Sequence, residues 1–311
     1  MKLLNYLMIM LLGGLMLTAS TTPNSPINTM QYTDYPTYEA QWKEVERFER
    51  EGLPKSALEV VDRIFAQAKL EQNPPQIYKT LIYQSKYALQ LEEDAQLNIV
   101  NTFKEEIEAA DAPTKQLLQS TLADLYWQYF NANRYQFLNR TATANIDLED
   151  FRTWDLNKIF EESAALFDTS LQPATMLQQI ALEDFDAILS EEEGSKTYRP
   201  TLYDLLVHRA LQFYKNDQNT LNRPSDQFEI TDEKALGPIQ EFLKYAPKTT
   251  DAEANKLKAI QLYQQLITFH QNDAEPDALI QIDLERLEFV RAHLRSDRVE
   301  ELYESALSDL L

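Results

Sequence analysis

Apolar residues recur at three- and four-residue spacing along most of the chain, the period of helices with one greasy face. Tyr38, Trp42, Val45 and Phe48 form a first stripe on a helix that Pro36 can open and Gly52 can close. Pro54 restarts the chain, and Ala57, Leu58, Val61, Ile64, Phe65 and Ala68 trace a second stripe. The segment Tyr38 to Lys69 therefore reads as two helices joined at Gly52-Leu53-Pro54, a turn short enough to force an antiparallel pair. The same grammar continues past Asn73-Pro74-Pro75 with Tyr78, Leu81, Ile82, Ser85 and Leu89, then with Val100, Phe103 and Ile107. Asp111-Ala112-Pro113 opens a helix carrying Leu118, Leu122, Leu125 and Tyr129.

From Asn131 to Leu156 the pattern loosens, Asn and Thr cluster, and aromatic residues crowd. Helical spacing returns at Ile159, Ala164 and Phe167, and again beyond the acidic turn Glu191 to Gly194, where Pro200 precedes Leu202, Leu205, Leu206, Ala210 and Phe213. Later stripes run through Leu257, Ile260, Tyr263 and Ile267, then Leu279, Ile282, Leu287, Val290 and Leu294, then Leu302, Ala306 and Leu310. The expected class is all-α: stacked antiparallel helical hairpins, either an α-solenoid of the tetratricopeptide (TPR-like) type or an irregular helical array, since no constant period is present. The expected organisation is a hairpin array over 37–215, a polar linker or long loop over 216–232 containing Pro224, and further hairpins over 233–311 that continue beyond residue 311.

Composition narrows the chemistry. Only Gly52, Gly194 and Gly237 follow the first twenty residues, and there is no cysteine. Phosphate-cradling loops, thiolate metal sites and disulfides are thereby excluded, and packing alone must hold the fold. The leading segment Met1 to Ser20 has Lys2 followed by an apolar run from Leu3 to Leu17, with small residues at Ala19 and Ser20, and reads as a signal peptide. Residues 21–36 read as a flexible mature start. The expected location is across the inner membrane, in the periplasm or outside the cell. No cysteine follows the leader to carry a lipid, and no second apolar run is long enough to span a bilayer. The net charge of -21 disfavours nucleic acid and anionic lipid as partners.

Candidate catalytic groups are sparse. His208, His270 and His293 lack metal-binding spacing and a nucleophile partner, and no Gly-x-Ser-x-Gly elbow is present, so no catalytic, metal or cofactor site is expected. The acidic groups Asp147, Glu149, Asp150 and Asp155, and Asp184 with Asp186, lack the glycine of a calcium loop and read as solvated acid. The singular segment is Tyr126 to Trp154, with eight aromatics: Tyr126, Trp127, Tyr129, Phe130, Tyr135, Phe137, Phe151 and Trp154, interleaved with Arg134, Asn139, Arg140 and Arg152. Tyr126, Trp127, Tyr129, Arg134, Tyr135, Arg152 and Trp154 form either a binding platform for peptide or sugar, or a packed corner with arginines bonded to Asp150 or Asp155. Aromatics are mainly core residues, which favours the packed corner.

Several strings carry a family likeness. They are Glu51-Gly52-Leu53-Pro54-Lys55-Ser56-Ala57-Leu58, Leu125-Tyr126-Trp127-Gln128-Tyr129, Arg134-Tyr135, Asn139-Arg140-Thr141, Arg152-Thr153-Trp154-Asp155-Leu156, Tyr198-Arg199-Pro200-Thr201-Leu202-Tyr203-Asp204 and Asp283-Leu284-Glu285-Arg286-Leu287. Together, in this order, they resemble the N-terminal helical region of the large secreted alpha-2-macroglobulin-like proteins of Bacteroidota. The resemblance implies a non-catalytic interaction module that precedes macroglobulin β-sandwich domains in a protease trap, an endopeptidase inhibitor. Its implied partners are proteases, through the full-length protein, or an envelope protein. With no cysteine, the internal thioester of some family members cannot form here. The alternative is a free-standing secreted protein that binds a peptide or glycan through its aromatic segment.

Overall fold

A computed structural model of the chain describes residues 37–138, 147–186, 188–189, 195–216, 227–251 and 254–310. The expected leader, the flexible start, Asn139-Arg140-Thr141, the Glu191 to Gly194 turn and residues 217–226 of the expected linker lie outside the described residues. Among the described residues the protein is all-α, with thirteen helices and no strands. It divides into two compact units that interleave along the sequence. The first comprises Met1–Leu118, Asp147–Trp154 and Asp184–Glu191; the second comprises Gln119–Ile146, Asp155–Glu183 and Glu192–Leu311.

The first unit begins with α1 (Tyr38–Arg50), α2 (Pro54–Leu70), α3 (Pro74–Leu91) and α4 (Ala95–Ala109). Trp42, Val45, Ala57, Val60, Val61, Ile64 and Tyr87 make one apolar core from the stripes of α1 to α3. The two hairpin turns are built alike. After α1, Gly52 adopts φ +71, its N–H donates to the Glu49 carbonyl at 3.1 Å, and the Leu53 N–H donates to Phe48 at 2.9 Å. After α2, Gln72 takes the glycine's place at φ +50, with Gln72 N–H to Lys69 at 3.3 Å and Asn73 N–H to Ala68 at 2.9 Å. Both are Schellman closures, in which a left-handed residue lets two N–H groups satisfy the last helical carbonyls. Asn73 then caps α3, its side chain accepting from the Gln76 N–H at 3.3 Å, with Pro74 in the first turn.

The long helix α5 (Thr114–Leu138) kinks at Asn133 (φ -116, ψ 16), whose side-chain amide donates to the Tyr129 carbonyl at 2.9 Å. The sequence pattern loosens from Asn131, yet the chain stays helical to Leu138; the break is a single residue at which a side chain competes for the helix's own carbonyl. The second unit continues with α6 (Leu156–Ser170), α7 (Ala174–Leu177), α8 (Ser195–Tyr198) and α9 (Leu202–Tyr214). It closes with α10 (Ile239–Phe242), α11 (Asn255–His270), α12 (Asp277–His293) and α13 (Val299–Leu310). Of the expected linker, the stretch 227–232 is packed: Phe228 and Ile230 are buried, and Ile230 forms a parallel bridge with Leu294. No helix among the described residues is long and apolar enough to cross a membrane.

Candidate functional site

The seven aromatic and arginine side chains singled out in the sequence fall into both units. Tyr126, Trp127 and Tyr129 lie on α5 in the second unit and are buried. The Trp127 ring stacks on Phe130 at 5.1 Å, tilts against Phe160 at 5.3 Å and meets Phe213 edge-on at 5.4 Å. Arg134 and Tyr135 follow the Asn133 kink; Arg134 is half-buried, and Tyr135 is 84% exposed. Arg152 and Trp154 belong to the first unit. Arg152 forks onto Asp150 (2.8 and 2.7 Å) and reaches Asp94 at 3.0 Å; its hydrogen bonds hold the Asp150 carboxyl below the ordinary carboxylate range. Trp154 is buried, donates from its indole N–H to the Asp147 carbonyl at 3.0 Å, and carries the Lys104 ammonium 5.7 Å above its ring. The structure thus brings Tyr126, Trp127 and Tyr129 together on one helix and assigns Arg152 and Trp154 to a different core.

A groove lies elsewhere in the second unit, framed by α6, α9 and α11. It encloses about 600 Å³, with Phe160, Ala164, Phe213 and Leu257 among its apolar lining and Asn157, Asn255 and Gln261 among its polar lining. Among the described residues none of these three carboxamides has an intramolecular hydrogen-bond partner. At one wall Asp168 ties the three helices: it accepts from the Tyr214 hydroxyl and from the Lys258 ammonium, each at 2.8 Å. Burial, added to the Asp168 charge and hydrogen bond, pushes the Tyr214 phenol far above its usual value, so this hydroxyl stays a donor. The signal for this groove is the spacing Asn157, Glu161, Ala164, Asp168 on α6 and Asn255, Lys258, Gln261 on α11, one face of each helix. These polar positions do not stand out in the sequence because they look like an ordinary solvated face.

The other end of the α9/α11 pair holds a buried ionic knot. Thr201 caps α9 with a reciprocal capping box: the Asp204 N–H donates to the Thr201 hydroxyl at 3.3 Å, and the Thr201 N–H donates to Asp204 Oδ2 at 2.9 Å. The other oxygen, Oδ1, lies 2.7 Å from His270 Nε2, while His270 Nδ1 lies 2.7 Å from Asp273 Oδ2. Burial acts to lower the His270 pKa, but the hydrogen bonds and charges of Asp204 and Asp273 outweigh it and hold the imidazolium above the ordinary histidine value. His208 behaves oppositely. Its Nδ1 donates to the Asp204 backbone carbonyl at 2.7 Å, and its buried Nε2 has no hydrogen bond, lying 3.7 Å from Glu285 Oε1. Burial and the Arg199 charge push His208 down, against the pull of Glu285. Both nitrogens of His270 are committed to carboxylates, so it cannot take a proton from a ligand without breaking the knot.

Among the described residues no group of three or more His, Asp or Glu is arranged to hold a metal ion. The chain matches no known protein family, no curated protein and no solved structure.

Proposed function

We propose that the chain is a helical protein-interaction module that docks an extended peptide segment of a partner in the α6/α9/α11 groove. Following the family resemblance of its sequence, we assign it to the leading helical part of a secreted alpha-2-macroglobulin-like protease trap, without catalysis of its own. The observation that carries the docking reading is the groove, an apolar lining with Asn157, Asn255 and Gln261 free to bond outward. A carboxamide offers both donor and acceptor, the complement of a peptide backbone, and an apolar lining accepts alternate side chains. Sugar binding is less well supported, since Phe213 and Tyr214 are each 2% exposed and present no open ring for stacking.

Selection of randomised peptides displayed on phage against the purified chain tests the docking reading. Enriched peptides are expected to lose binding to Ala164→Trp, which plugs the groove; binding indifferent to that plug would sink the reading. The trap assignment is tested separately by adding the chain to endopeptidases digesting a protein substrate. Digestion is expected to proceed unchanged, because trapping by that family resides in its β-domains; inhibition by these helices alone would overturn the assignment.

A further inference from the structure

We propose that the peptide docked in this groove presents a lysine or arginine side chain to the Glu161 rim. This rests on the docking reading above and goes further, by assigning the ligand a charge. Three carboxylates line the groove, Glu161, Asp168 and Asp251, against one ammonium, Lys258. Lys258 is already engaged by Asp168 at 2.8 Å, and the other Asp168 oxygen is taken by Tyr214, so that pair cancels and neither member is available to a ligand. Asp251 uses Oδ2 to accept the Phe228 N–H at 2.8 Å, which makes it part of the scaffold.

Glu161 is different. The nearby Lys158 ammonium sits 2.6 Å from Glu162 and only 3.5 Å from Glu161, so one cation is shared by two carboxylates and Glu162 holds the better share. The Glu161 side chain is 73% exposed at the groove's edge, on the same face of α6 as Asn157 and Ala164. A cationic side chain entering with its backbone on the amides and its aliphatic stem along Phe160 and Leu257 meets a surplus of negative charge at this edge. An acidic one meets repulsion. The chain's net charge of -21 draws basic segments in from a distance, and the local surplus decides where they seat.

The phage selection carries the test, because the residue counts of the enriched peptides report charge preference directly. Lys and Arg are expected to be enriched over Asp and Glu by about two- to fivefold, the ratio that one solvent-exposed ion pair sustains. Glu161→Lys should erase or reverse this bias. The same reversal in the first unit, Glu39→Lys, changes the net charge equally and should leave the bias intact. A bias that survives Glu161→Lys, or vanishes equally with Glu39→Lys, reflects the overall charge and overturns the inference. Peptides without basic bias whose binding Ala164→Trp abolishes overturn it while leaving the docking reading standing. Binding untouched by Ala164→Trp removes both.

Discussion

The first unit buries neutral polar groups and the second buries ions. In the first, the Gln41 amide donates to Gln67 at 2.8 Å, Gln67 donates on to Glu71 at 2.8 Å, and the Trp42 indole donates to Gln76 at 2.7 Å. Its charged pairs are exposed or part-buried, the Lys86–Glu49 pair being 20% and 27% exposed. In the second, Asp204, His208, His270, Asp283 and Arg286 are all buried, and burial also raises the Asp124 carboxyl. Arg286, 1% exposed, donates to Asp283, to the carbonyls of Ala235 (3.1 Å) and Gly237 (2.9 Å), and covers the Phe242 ring at 4.7 Å. The contrast teaches where titration and charge deletion act. A hydrogen bond between neutral side chains contributes about 1 kcal/mol and is indifferent to pH, whereas an uncompensated buried ion costs several times more.

The largest break is at Arg286. Replacing it by Met strands the Asp283 charge and two carbonyls, and should destabilise the second unit by about 3–5 kcal/mol. Hydrogen exchange read segment by segment should show faster opening in α12 and little change in α1 to α3. The double change Arg286→Met with Asp283→Leu should recover much of the loss, since no charge is then stranded.

The two histidines give the next effect. His270 is raised, so its contribution is full below the unfolded value of 6.5 and is lost as pH rises through the folded value. His208 is lowered, so its contribution is full above 6.5 and is lost as pH falls through the folded value. Their sum makes the second unit most stable near pH 6.5, with both limbs falling away. His270→Gln should flatten the alkaline limb and His208→Gln the acid limb. Hydrogen-exchange protection across pH 5 to 8 measures this; a first unit that responds to the same extent would refute the contrast.

The smallest effect sharpens the comparison from the other side. Gln72 occupies a left-handed position where Gly52 serves the preceding turn, so Gln72→Gly should stabilise the first unit by up to about 1 kcal/mol, read from the shift of a urea midpoint. Gly52 has no atom within 4 Å of where a Cβ would stand, so Gly52→Ala should cost a similar amount from backbone strain alone.

Helix positions were legible in the sequence wherever a breaker met a stripe: Gly52 with Pro54, Asn73 with Pro74, and Pro200 before Leu202 all stand at element ends. The Gln72 turn was not, because glutamine carries no turn signal and its φ is imposed by the packing of α2 on α3. The burial of Asp283 and Arg286 was hidden for a related reason. Acid and base three apart on a helix write the same pattern whether water or Phe242 lies beyond them. The aromatic segment is continuous in sequence, yet Trp127 and Trp154 are buried in separate units, a division that spacing alone does not write. The groove was illegible because its chemistry lies in amides whose freedom depends on what α6, α9 and α11 leave uncovered.

Asp204 has a mechanical consequence. Its carboxylate rivets the start of α9 to the end of α11, while the groove opens where the same antiparallel rods finish, beside Phe213 and Asn255. At the groove end the same two rods are tied again, through Asp168, which holds Tyr214 and Lys258 at 2.8 Å each. The pair is a frame pinned at both ends, so widening the groove means breaking an ion pair and bending the rods together.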